Sequence, residues 1–161
     1  MNHLVSVALL VGLLCNSIAL SPLTAGEPQL ELQPGDRVVI IGDTLADRMQ
    51  HHGWLETLVQ SYFPIHDLTF RNLGFAGDEV KRRPRSANFG SPDQWLTKVK
   101  ADVVFCFFGH NEALQGDEGL PAFRKDLAEM IVGMRKQKYN GESAPRLVVF
   151  SPIAHENLHS P

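Results

Sequence analysis

Thr44 closes an apolar run, Val38-Val39-Ile40-Ile41-Gly42-Asp43-Thr44-Leu45, and an amphipathic stretch begins directly behind it. A hydroxyl exposed at a strand-to-helix turn can attack a carbonyl carbon. It needs a base to take its proton and hydrogen-bond donors to meet the developing oxyanion. Two further clusters supply such donors. Gly74, in Asn72-Leu73-Gly74, has no Cβ, so its N–H can lie close to a substrate. Asn111, in Gly109-His110-Asn111-Glu112, carries an amide with two donor hydrogens. With the N–H of Thr44 itself, these make a three-donor oxyanion hole. The Thr44 hydroxyl also suits a helix N-cap, so nucleophile and cap both stand as readings of this residue.

The neighbouring polar residues take supporting parts. Asp43 is suited to fixing the turn through backbone hydrogen bonds, Glu112 to orienting Asn111, and His110 to positioning rather than to proton transfer. His155, in Ser151-Pro152-Ile153-Ala154-His155, follows the fourth apolar run and is the best stand-in base, although a loop histidine bound to backbone or solvent fits it too. His51 and His52 lie too far along the first helical pattern to reach Thr44. The histidines lack the i, i+4 spacing and carboxylate company of a metal site, so neither a metal nor another cofactor is expected.

The elements that must hold these residues can be read from the apolar pattern. Val38–Ile41, Val103–Phe108 and Leu147–Phe150 are short, β-branched or aromatic, and bounded by polar residues, which predicts strands. Leu68–Asn72 is a weaker fourth. Runs without polar alternation suit strands covered on both faces, as in a parallel sheet. Between them, Ala46–Tyr62, Pro92–Lys98 and Pro121–Lys138 have helical spacing, with Pro121 in a first turn. Alternating strands and helices predict a doubly wound α/β domain, whose ligands bind beyond the carboxyl ends of the strands. All four polar clusters should therefore meet on one edge.

Composition narrows the function classes. The 161 residues are 43% hydrophobic and 20% charged, with a formal net charge of −3. That balance fits one globular α/β domain and gives no basic face for nucleic acid. The one concentrated positive stretch, Lys81-Arg82-Arg83-Pro84-Arg85, reads as a solvated loop. Leu4–Leu20 is almost wholly apolar and ends in Ser21-Pro22-Leu23-Thr24-Ala25-Gly26, the form of a secretory signal peptide over residues 1–26. Export to the periplasm or beyond follows. An uncleaved anchor is the alternative, since the run sits at the lower limit for a membrane span. Of the two cysteines, Cys15 lies in this segment and Cys106 in a strand run, where a lone thiol is a small buried hydrophobe.

Gly42-Asp43-Thr44-Leu45, Asn72-Leu73-Gly74 and Gly109-His110-Asn111-Glu112 resemble the first three blocks of the SGNH (GDSL-like) hydrolases, in order and on successive strands. The stretches GDTLADRMQ, FRNLGFAGDEV and SPIAHENL resemble a secreted bacterial subgroup, in which the domain often begins a longer chain. The resemblance runs from residue 36 to about 155. It implies a flavodoxin-like three-layer α/β/α sandwich, hydrolysis of acyl or carbohydrate esters, Thr44 in the nucleophile position, and Gly74 and Asn111 as oxyanion donors. Two departures stand out. The family has serine where this chain has Thr44, whose extra methyl restricts χ1. The family's later Asp–His block, after a fifth strand, has no counterpart before Pro161. Residues 27–161 are therefore expected to be an incomplete copy, lacking the last strand and helix and weakly active or inactive alone, with further domains in a longer chain. A non-catalytic carbohydrate- or ligand-binding domain is the competing expectation, and an unstable fold with an open sheet edge is a third.

Overall fold

The computed structural model describes residues 29–153; the expected signal segment and His155 lie outside them. In these residues four parallel strands, β1 (Arg37–Gly42), β2 (Thr69–Asn72), β3 (Val103–Phe107) and β4 (Arg146–Phe150), form one sheet in the order β2-β1-β3-β4. That is the order of flavodoxin-like sheets through four strands. Register pairs Ile40 with Asn72 on one side and with Phe105 on the other, and Phe107 with Phe150.

The continuous apolar runs exist because both faces of the sheet are covered. Successive side chains alternate between faces. Val39, Ile41, Val104, Cys106 and Phe108 join Leu96 and Met134 in one core, and Val38, Ile40, Val103, Phe105 and Phe107 join Leu32, Ala46 and Leu68 in the other. The first core is closed by α4 (Pro92–Lys98) and α6 (Gly116–Met134), the second by α1 (Thr44–Met49) and α2 (Trp54–Tyr62). Short helices α3 (Ser86–Phe89) and α5 (His110–Ala113) complete the three-layer α/β arrangement. Cys106 is fully buried, and burial pushes its thiol up to about 12, so it packs as a small hydrophobe.

Three expectations are corrected. The single helix expected over Ala46–Tyr62 is two, because Gly53 takes φ +59 and the chain turns between Met49 and Trp54. Leu55 and Val59 of its apolar stripe pack on the core, while Trp54, Leu58 and Tyr62 stand 73%, 57% and 79% exposed. The helix expected from Pro121 begins earlier, at Gly116, with Asp117 and Glu118 in the first turn where the helix dipole favours acids, and it ends at Met134. Pro121 therefore lies inside it. The 81–85 run is not wholly solvated. Lys81 does face outward, bridging Asp126 and Glu129, but Arg83 folds in over the Phe108 ring at 4.3 Å and donates to the carbonyls of Glu79 and Val80. A guanidinium on a long apolar stem can satisfy backbone acceptors while its stem covers apolar surface.

One carboxylate ties the amino end of the sheet together. Asp102 accepts from Arg37 N at 2.9 Å, Arg37 Nε at 3.0 Å and Asn140 Nδ2 at 2.8 Å. Burial opposes its charge, but the bonds from Asn140 and Arg37 outweigh that and hold its pKa below the usual value. A depressed folded-state pKa contributes stability above the unfolded value near 3.8, and that stability is lost as pH falls through the folded value. Asp102→Ala should cost about 1–3 kcal/mol at neutral pH. In urea titrations the gap from the parent protein should close in progressively stronger acid; a gap independent of pH would contradict this.

Candidate active site

The sheet order reverses between β1 and β3, and the polar clusters gather beyond the carboxyl ends of these two strands. Asp43 follows β1 at 2% exposure. Its N–H donates to Phe107 O at 2.9 Å, continuing the β1–β3 contact past the end of the ladder. Its carboxylate then serves two elements: Oδ1 accepts from Leu45 N at 3.1 Å and Oδ2 from His110 N at 3.3 Å. Asp43 is thus the N-cap of α1, and Thr44 is the first helical residue. The cap expected as one reading of Thr44 falls to its neighbour. That leaves the Thr44 hydroxyl without a capping duty, and its N–H, first in the helix, has no intrahelical acceptor.

Thr44, Asp43 and His110 line a common cavity of about 210 Å³. Leu45, Arg48, Phe107 and Phe108 also line it, as do Ser151, Pro152 and Ile153, which follow β4. Ser151 and Arg48 belong to this lining and were not singled out by type or spacing. The only signal for Ser151 was its place directly after a strand; Arg48 had none.

Gly74 and Asn111 lie beside this cavity's lining rather than in it. Gly74 N–H donates to Asn72 Oδ1 at 2.8 Å, while Asn72 Nδ2 donates to Ala46 O at 2.6 Å. Asn72 therefore clamps the loop after β2 to helix α1. A Cβ on Gly74 would sit 2.5 Å from Ala46 Cβ and 2.8 Å from Ala46 C, so glycine is required here by helix contact. Asn111 Nδ2 donates to Asp78 O at 2.9 Å, and its second amide hydrogen has no partner among the described residues. Glu112 bonds loop backbone rather than Asn111: Oε1 accepts from Val80 N at 2.7 Å and Oε2 from Gly109 N at 3.1 Å. Asp78 is buried, and Oδ1 has no hydrogen-bond partner among the described residues. Burial pushes its pKa up, while the charges of Arg83 and Arg85 pull it down. His51 and His52 occupy the exposed turn after α1, away from the cavity. Among the described residues no group of His, Cys, Asp or Glu is arranged to hold a metal ion. No described helix is long and apolar enough to cross a membrane.

Solved structures share this architecture. A catalytic mutant of Axe2, an acetylxylan esterase from Geobacillus stearothermophilus, matches with a TM-score of 0.56 at 16% identity, over 76% of this chain and 62% of that one. A second Axe2 structure matches at 0.54 and 17%, over 74% and 61%. BT4096, a gut microbial diltiazem-metabolizing enzyme, matches at 0.53 and 18%, over 74% of this chain and 27% of that one. The chain thus spans less than two thirds of each, and likeness at identities this low shows a common α/β fold. No family model matches the sequence, and no curated protein matches it.

The site turn depends on Asp43. Asp43→Ala leaves the N–H groups of Leu45 and His110 without their acceptor and should destabilise by about 2 kcal/mol. Hydrogen exchange at these two amides should accelerate more than at Val104 in the sheet centre. Unchanged protection at both amides would contradict the clamp.

Proposed function

We propose that this chain is an SGNH-like hydrolase domain acting on ester bonds of small molecules or carbohydrates, with Thr44 as nucleophile. The observation that carries the reading is Thr44 at the start of α1, freed from capping by Asp43 and lining a cavity together with His110. Thr44 Oγ attacks the ester carbonyl carbon and its proton passes to a base. The oxyanion meets Thr44 N–H and the second hydrogen of Asn111 Nδ2, and collapse expels the alcohol. Water then cleaves the acyl-threonine and releases the acid. Among the described residues His110 is the imidazole in the cavity lining; His155 lies outside them. Gly74 joins as a donor once Asn72 releases its N–H. The acetylxylan esterase likeness supports an ester substrate, and the apolar segment Leu4–Leu20 supports an exported or membrane-anchored protein.

A second reading is a non-catalytic ligand-binding domain. The bond from Gly74 N–H to Asn72 favours it, because it occupies a donor that catalysis needs. Turnover of p-nitrophenyl esters decides between the two. The catalytic reading expects hydrolysis that Asn111→Ala lowers by roughly 10²–10³ in kcat. Thr44→Ala should leave only residual rates, and Thr44→Ser, which removes the crowding methyl, should turn over faster. Saturable binding without turnover, or full activity in Thr44→Ala, would overturn it.

A further inference from the structure

We infer that the cavity beside Thr44 receives an apolar chain larger than acetyl, of about four to six carbons, since a dry cavity of roughly 150 Å³ already holds a benzene. The volume here is about 210 Å³. Leu45, Phe107, Pro152 and Ile153 give it apolar walls, and Thr44, Arg48, His110 and Ser151 also line it. The buried carboxylate in its lining is already bonded: each oxygen of Asp43 accepts a backbone N–H, from Leu45 and from His110. A sugar ring placed against the apolar walls would give up hydrogen bonds to water there, whereas an alkyl chain has none to lose. The inner wall is also preformed. Phe107 is 7% exposed and stacks on Phe150 at 4.1 Å between centroids, with Phe105 edge-on to the same ring at 5.3 Å. Ile153, at 60% exposure, is the part of the wall that a ligand would cover.

Identifying this chain as the acyl half of an ester rests on the proposed role of Thr44. The acyl group stays bonded to Thr44 while the alcohol diffuses away, so the cavity that Thr44 lines is assigned to the acyl side. The cavity's preference for alkyl chains stands apart from that role and can be measured without turnover.

The test titrates ethanol, butanol and hexanol into the protein and follows the methyl NMR signals of Leu45 and Ile153. Affinity should tighten roughly fourfold per added methylene until the cavity is full. Leu45→Phe should end that gain at a shorter chain and Leu45→Ala at a longer one, opposite shifts that a loss of stability would not produce. The titration reads binding without turnover, so failure of the nucleophile reading leaves this result intact. Equal affinity along the series, or shifts confined to methyls outside the cavity such as those of Leu58, would overturn the inference.

Discussion

The buried carboxylate of Asp43 is the constraint on which the site depends. A charge at 2% exposure is tolerable only with its acceptors filled, and here each oxygen takes a backbone N–H from a different element. One bond starts helix α1 at Thr44; the other holds the loop after β3 against it. Because the Asp43 N–H also extends the β1–β3 contact through Phe107 O, helix, loop and sheet are joined at a single residue. A hydroxyl placed on that junction has little freedom to wander, which is what a nucleophile requires.

The same economy of positions explains how the sheet serves the site. Alternation sends Ile41 to one core and Ile40 to the other, so β1 is locked from both sides before it reaches Gly42. Gly42 lies so close to β3 that a Cβ would fall 2.2 Å from Phe107 O. That close approach lets Asp43 reach both the helix and the loop. Around this point, Asn72, Glu112 and Arg83 secure the loops after β2 and β3 through backbone donors and acceptors rather than through ion pairs. Such bonds fix the shape of the loops beside the candidate reaction centre.

What could be read from sequence follows from how local each signal is. The strands were legible because a doubly covered sheet demands unbroken apolar runs, and Val38–Ile41 and Val103–Phe108 have no other use. The gathering of Asp43, Thr44 and His110 at one edge followed from the position of each directly after a strand. The break before α2 was not legible, because Gly53 is tolerated within a helical pattern and only its positive φ reveals the turn. The exposed Trp54, Leu58 and Tyr62 fit a helical stripe equally well whether a partner layer reaches them or not. The inward turn of Arg83 is not legible, because charge type is visible in sequence while the carbonyls it finds at Glu79 and Val80 are set by the loop fold. The engagement of Gly74 N–H by Asn72 depends on a side-chain rotamer, which residue spacing does not encode.

Catalysis and binding share every element of this architecture and part at one atom, the Thr44 hydroxyl oxygen. Covalent capture reads that atom directly. The protein incubated with an alkyl fluorophosphonate, which phosphonylates activated hydroxyls with loss of fluoride, should carry one adduct, located by peptide mass spectrometry on Thr44. Absence of any adduct in protein that hydrolyses esters, or an adduct on Ser151 instead, would contradict the assignment of Thr44 as the nucleophile.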